Sequence, residues 1–377
     1  MADGDNQLPR RTVIKATGAG TLGGFAGLAG CVGNGDDGAD VDDDADDGVD
    51  DTADDDNGDP QYSWSIGTSG EETATHASGV AFSSVINEHS DMIEMSAQTT
   101  GGTTANNRLI DEGDIDIAQS THNLIWRANQ GVAPYDDPPI ETILCHVFSY
   151  MTLDVFLTRR DTDELEGVET VADIPEGTNV SFGPRGTSGF DAAHDGHEIL
   201  GIDYDEKYDM EFMGLGDQAD AMREGRLDVC LTYTANSDVL IGWIQELDAT
   251  VDIDVLEWDI TAEEAAEAEA PVLVTDIPGD VWEQDVQHEE FTGLPMGYTS
   301  VFPAEIDDEA VYEYTRILLE NYEQVREAHA VLARHGPDFA TEWLQPDGVP
   351  VHPGAEEYLK EEDLWRDELT TLEEFEG

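Results

Sequence analysis

Three loops carry the residues best suited to hold a small charged molecule: "GTSGEET" (67–73), "TTGGTT" (99–104) and "GPRGTSG" (183–189). Each joins glycines, which let the backbone turn tightly and let a ligand come close, to serine and threonine hydroxyls. Each also opens a helical pattern. The first amides of a helix have no partner inside it, and the helix dipole adds partial positive charge there, so such ends bind carboxylate or phosphate groups. One such loop alone is ordinarily a capped turn; three in the same setting point to one site. Gln119, Ser120 and His122 lie just past one expected strand, and Thr232, Tyr233 and Asn236 at the end of another, which places them at the same edge. Arg185 offers a guanidinium that pairs with a carboxylate through two parallel hydrogen bonds.

The elements that must position these loops follow from apolar spacing. "YSWSIG" (62–67), "MIEMSAQ" (92–98) and "DIDIAQS" (114–120) read as strands. Helical patterns follow them, the first with Ser78, Phe82, Val85, Ile86 and His89 on one face, the next with Leu109 and Ile110, the third with Leu124, Ile125 and Trp126. "NVSFGPRGTSGF" (179–190) repeats the strand, loop, helix theme, and the helix places Phe190, Ala193, His197 and Leu200 on one side. "MEFMGLGDQADAMREGRLDVCLTY" reads as strand, helix capped by Asp217, strand; "SDVLIGWIQELD" reads as a helix with Val239, Trp243 and Leu247. Residues 141–160 are too long for one ordinary strand and suggest two, one leaving a first lobe and one starting a second. Residues 292–306 read as the return strand. From 307 to 336 the pattern is one long amphipathic helix capped by Asp307 or Asp308. Strand–loop–helix alternation with two crossings predicts a hinged, two-lobed α/β chain with largely parallel sheets.

On these motifs the chain resembles a known family. "QTTGGTTANNRLIDEGDIDIAQST" (98–121) is similar to the "STGGSxENxRLLxxGxAD" and following "QSD"-like segment of the solute receptors of TAXI-type TRAP transporters. "VSFGPRGTSGFDAAHDGHEILGI" resembles that family's "GxxGSGT" segment. "ADAMREGRLDVCLTYTANSDVLIGWIQEL" resembles the segment with its "DG-x-DA" core, and "VPVHPGAEEYLKE" resembles its "HPGAxxYxxE". The resemblance runs from about 62 to 360. It implies a two-lobed periplasmic-binding-protein fold of type II, with a hinge and an interlobe cleft, that hands a small organic anion to TRAP permease subunits in the membrane. By position it implies Ser69, Thr100, Gly101, Asn106, Gln119, Ser120, Thr187 and Ser188 as ligand-binding residues; Arg185 and Tyr233 join them from the loop reading. The lobes are expected at 61–152, 153–294 and, returning to the first lobe, 295–377. The first loop departs from the family: Glu71 and Glu72 stand where glycines are usual, and Ala74 and Thr75 replace an aromatic pair. Glu71 would suit a ligand with an amino group, such as glutamate; a dicarboxylate is the other expected class.

The chain opens on "LPRRTVIKATGAGTLGGFAGLAGC" (8–31). Arg10 and Arg11 form a twin-arginine export pattern. Residues 16–30 are too short and too weakly apolar for a membrane span, which needs roughly 20 apolar residues. "LAGC" resembles a lipobox, with Cys31 as the lipid-attachment residue, so 1–31 is expected to be a signal and 32–60, rich in aspartate, a disordered tether holding the rest outside the cell. The net charge of the chain is −70, and it contains only three lysines, Lys15, Lys207 and Lys360. Sixteen acids and three bases lie in residues 1–60, so the remainder still carries about −57. Such a surface suits very high salt, where the Debye length falls to about 3 Å at 1 M. Nucleic acid is excluded as a partner because no basic patch exists.

No GxSxG, HExxH, CxxC or phosphate-binding P-loop appears, so no enzyme, cofactor or metal set is assigned. His194 and His197 stand at i, i+3 on a helix, a spacing that can chelate metal, but the apolar pattern makes His197 a packed residue. The rival readings are a secreted metal-dependent hydrolase using that pair, and a surface sensor that binds without transport. Cys145 and Cys230 lie in apolar runs and read as buried thiols. Residues 261–270 read as a solvated acidic helix face.

Overall fold

The computed structural model describes residues 60–376, apart from residues 269, 270 and 346. The expected export signal with Cys31, and the acidic segment that follows it, fall in residues 1–59 and lie outside the described residues.

The first three strands come from alternating or continuous apolar runs and are parallel. β1 (Tyr62–Gly67) lies between β2 (Ile93–Gln98) and β3 (Ile117–Thr121). Three helices link and follow them: α1 (Ala74–His89), α2 (Thr103–Asp111) and α3 (His122–Gln130). In α1 Ser78, Phe82, Val85 and Ile86 are buried as the spacing predicts. His89 is not on that face; it is exposed and meets Gln324 at 2.9 Å.

The stretch predicted to be two strands is one. β4 (Leu144–Arg160) runs unbroken for 17 residues, and every residue but the last is buried. A strand of that length persists because its partners change along it. Two later strands of the chain, β7 (Val229–Ala235) and β9 (Ile253–Leu256), flank its carboxyl end, and β11 (Glu290–Pro303) runs antiparallel to it from Leu144 to Val155. Every segment therefore finds ladder partners, and register shifts in β11 around Thr299 bend the pair.

The second set of parallel strands repeats the first. β5 (Asn179–Ser181) lies between β6 (Asp209–Met210) and β7, with α4 (Ser188–Ile199), α5 (Tyr204–Lys207) and α6 (Asp217–Arg223) as connections. Asp217 is the first residue of α6 and not its cap; Gly216 holds the cap position without a side-chain bond. Val239 sits in a short strand, β8 (Val239–Leu240), and not in the helix predicted for it. Asn236 and Ser237 take φ of 55° and 63° and turn β7 back onto β8 as a hairpin, so α7 (Gly242–Thr250) starts later. After β9 come α8 (Ala262–Ala266) and β10 (Thr275–Pro278), which pairs with β11. Thr261 and Glu264 form a capping box on α8, whose other acids face solvent.

The long helix predicted over 307–336 is two helices, α9 (Asp308–Glu320) and α10 (Tyr322–Ala328). Asp307 caps α9, accepting from the amides of Glu309 and Ala310 at 3.1 and 3.3 Å. Asn321 ends it: its side-chain amide donates to the Ile317 carbonyl at 2.9 Å and its backbone leaves the helical region. α11 (Pro353–Glu361) and α12 (Leu372–Glu376) complete the chain.

The strand order is β2-β1-β3-β11 in the first half and β6-β5-β7-β4 in the second, and the two are joined where β11 pairs with β4. Each half is thus three parallel strands closed by one antiparallel crossing strand. Aromatic side chains fill the core of both halves, among them Phe82, Phe148 and Tyr314 in one and Phe156, Trp258 and Phe291 in the other. Cys145 and Cys230 are buried and no disulfide joins them.

Candidate functional site

The three Gly/Ser/Thr loops follow the carboxyl ends of β1, β2 and β5, and each leads to the first turn of a helix. Thr73 caps α1, accepting from the His76 amide at 3.2 Å. Thr187 caps α4, accepting from the Phe190 amide at 3.4 Å. Gly102 holds the cap position of α2 and offers no side chain to its amides. These three helix starts come from both halves of the sheet and meet around one cavity of about 40 Å³. That volume holds about three waters, so the cleft is shut.

The wall combines hydroxyls and apolar groups. From the first half come Ser69, Thr73, Thr75 and Thr103; from the second come Thr187, Ser188, Leu215, Leu231 and Tyr233. Leu153 of β4 and Met296 and Tyr298 of β11 supply the floor. None of the described residues lining it carries a formal charge. Ser69 is 8% exposed, and its hydroxyl finds no hydrogen-bond partner among the described residues. Tyr233 packs edge-on against Trp243, and burial pushes its hydroxyl pKa well up; burial raises that of Tyr298 to about 12. Both phenols are therefore neutral donors at any physiological pH.

The expected site residues fall into three groups. Ser69, Thr187, Ser188 and Tyr233 line the cavity. Thr100, Asn106, Gln119 and Ser120 lie in the layer behind it. Asn106 is fully buried and donates to the carbonyls of Gly67, Thr68 and Gln119 at 3.0, 2.9 and 3.1 Å, tying the ends of β1 and β3 together. Thr100 donates to Asn106 Oδ1 at 2.6 Å. Gln119 reaches back to Ser78 at 3.3 Å, and Ser120 is buried. Gly101 is exposed on the rim, its carbonyl facing Gly186. Arg185 stands outside the cavity. It is 57% exposed, lies over the rings of Phe190 and Phe212, and is 3.6 Å from Asp205. Glu71 and Glu72 are exposed and form no part of the wall, whereas Ala74 and Thr75 beside them do. Thr232 faces Thr158 at 2.6 Å within the sheet, and Asn236 holds the Thr152 amide at 3.2 Å.

Thr73 and Thr103 lie one or two positions from residues singled out by sequence, so the loop signal contained them. Leu153, Met296 and Tyr298 had no local signal. They reach the site only because β4 and β11 cross beneath it.

Contacts across the cleft hold the halves together. The Ser188 amide donates to Thr103 Oγ1 at 2.9 Å, and the Ser188 and Tyr298 hydroxyls meet at 2.5 Å. Thr104 donates to Asp191 at 2.5 Å, and Arg127 of α3 pairs with Asp195 of α4 at 2.7 Å. Burial raises the pKa of both acids, Asp195 to about 6, with Arg127 opposing that rise. His122, at the start of α3, accepts from the Gly297 amide at 3.2 Å; burial lowers its pKa to about 4, so it is neutral. His197 is packed among Phe182, Tyr204, Tyr208 and Trp258, with Nδ1 on the Ala193 carbonyl at 2.6 Å, and it is not among the potential ligand groups gathered around His194.

Two halves of the same strand order, joined by crossing strands, with a cleft at the carboxyl ends of the parallel strands, define a two-lobed type II periplasmic-binding-protein fold. The chain belongs to the NMT1-like family, whose sequence profile matches residues 66–362. Among solved structures it is similar to a binding protein component of an ABC phosphonate transporter from Pseudomonas aeruginosa, at 10% identity over 72% of this chain and 79% of that one, TM-score 0.47. It is also similar to the periplasmic aliphatic sulphonate binding protein of Escherichia coli (13% identity, 80% and 79% covered, TM-score 0.39). A third is an amino acid ABC transporter substrate-binding protein from Streptococcus pneumoniae bound to L-arginine (10% identity, 71% and 95% covered, TM-score 0.40). No curated protein is a significant match to this chain. Among the described residues no helix is long and apolar enough to cross a membrane.

Proposed function

We propose that this protein is an extracytoplasmic solute receptor that captures a small organic anion and delivers it to a TRAP-type permease. The observation that carries this reading is the meeting of three helix N-termini, from both halves, on one closed cavity. Each N-terminus presents roughly half a positive charge, so together they suit one carboxylate without any cationic side chain in the wall. The hydroxyls of Ser69 and Tyr233 are placed to accept or donate to a second polar group, as in a dicarboxylate or an amino acid such as glutamate, and the leucines and Met296 pack the carbon chain.

Opening must precede binding, since the closed cavity admits only a few waters. The ligand then favours closure to the extent that it contacts both halves. The lobes, 61–152 with 295–377 and 153–294, swing about β4 and β11, and the closed form docks on the permease. No bond is made or broken. Twin-arginine export and a lipid on Cys31, with residues 32–60 as a tether, place the receptor on the outer face of the membrane. The motif resemblance to TAXI-type receptors favours a TRAP permease as the partner.

Native mass spectrometry of protein purified in concentrated KCl identifies the co-purified ligand, and calorimetry with that compound measures its affinity. The expected result is a small carboxylate whose binding weakens about tenfold or more in Ser69→Ala and in Thr187→Ala, as loss of a hydrogen bond to a charged group predicts. A ligand whose affinity is unchanged in both variants would sink the assignment.

A further inference from the structure

The structure places three potential ligand groups together on α4, beside its seam with α3. His194, Asp195 and Glu198 each bring one nitrogen or oxygen to within 4.8 Å of the others. His194 and Glu198 are four residues apart and share a helix face, with Nε2 and Oε2 4.0 Å apart, too far for a hydrogen bond. The independent observation is Asp195. It is 4% exposed; Oδ1 is held by Arg127 at 2.7 Å, while Oδ2 is buried with no partner. Asp195 and Glu198 border an open cavity of about 290 Å³, with Glu264 and Glu267 opposite.

We infer that His194, Asp195 and Glu198 form a binding site for a divalent transition-series cation such as Zn²⁺. One imidazole and two carboxylates suit that class, whereas Mg²⁺ and Ca²⁺ prefer oxygen alone. Waters in the adjoining cavity complete the coordination. Arg127 is the one positive group facing the site among the described residues that border this cavity, and Glu264 and Glu267 offset it. Because Oδ1 stays on Arg127, the guanidinium orients the Asp195 carboxylate for the cation. The cation in turn fixes the side chain that joins α4 to α3, so it strengthens the seam between the halves.

The test is a Co²⁺ titration of the chelator-treated full chain in concentrated KCl, read by visible ligand-field absorption, whose bands shift from those of the aqua ion when an imidazole nitrogen replaces water. One saturating equivalent, displaced by Zn²⁺, is expected. His194→Ala is expected to abolish the signal and Glu198→Gln to weaken binding about tenfold or more. Glu198 is exposed and His194 half-buried, and far-ultraviolet circular dichroism checks that each variant is folded. Absence of a saturable signal in the unaltered chain overturns the site, as does a signal that survives in either folded variant at full strength.

Discussion

The amide of Ser188 donates to Thr103 Oγ1 at 2.9 Å, so the first turn of a helix in one half is satisfied by a side chain from the other. Each half lacks this partner when the cleft is open, and the closed form gains one hydrogen bond that the open form gives to water. Thr103→Val keeps the shape and removes the acceptor. It is expected to favour opening by about 1 kcal/mol, seen as a larger radius of gyration in small-angle scattering and a weaker hold on the co-purified ligand.

Gly102 takes a φ of +116°, and a Cβ there would lie 2.6 Å from the Gly186 carbonyl oxygen of the other half. Gly102→Ala is therefore expected to prevent full closure while leaving each half folded. Scattering that shows the closed dimensions in this variant would refute the prediction.

The pair between Arg127 and Asp195 is 15% and 4% exposed. Removing one partner of a pair buried this deeply leaves an uncompensated charge. Arg127→Gln should cost up to about 3 kcal/mol, more than Asp195→Asn, which removes the buried charge itself. Urea midpoints of the two variants in the same salt compare them directly.

Five buried histidines set the acid limit of stability. Burial lowers the pKa values of His122, His197, His335 and His352 to about 4 and of His146 to about 3. Their unfolded values lie near 6.5. The unfolded chain thus binds more protons below that pH, and stability is lost as pH falls from about 6.5 towards 4. Three buried acids oppose this: burial raises the pKa values of Asp154 and Asp195 to about 6 and also raises that of Asp191, so they favour the fold as they protonate. Five histidines outweigh three acids, and the urea midpoint should fall between pH 7 and pH 5. A midpoint that rises over that range would show these histidines to be charged in the native state.

The excess of acids predicts steep dependence on salt. The Debye length shortens from about 10 Å at 0.1 M to about 3 Å at 1 M, which removes most of the repulsion among surface carboxylates. The melting temperature should climb with KCl over that range, and little further once screening is complete. Equal melting in 0.1 M and 2 M KCl would count against adaptation to brine.

Much of this was open to a reader of the sequence. The strand, glycine loop, helix order at 62–111 and 179–199 was legible because its causes are local: alternation, turn residues and caps act within a few positions. Thr73 and Thr187 are caps for the same reason. Failures occurred where a distant partner overruled the local pattern. Residues 144–160 form one strand because β11, β7 and β9 take turns beside it. Residues 308–328 form two helices because the Asn321 side chain takes the Ile317 carbonyl.

Residue types and spacing were enough to determine that three helix starts carry hydroxyls and bare amides, and that the halves share one plan. Only the tertiary structure decided which of those hydroxyls reach the cavity. Thr100 and Asn106 turned inward to brace strand ends, Arg185 came to rest on aromatic rings outside, and Tyr298 and Met296 arrived from nearly two hundred residues away. The reason is physical: a cap is a bond to the next turn of the same chain, whereas a cavity is space left where separate elements fail to fill a gap, and no short segment specifies that.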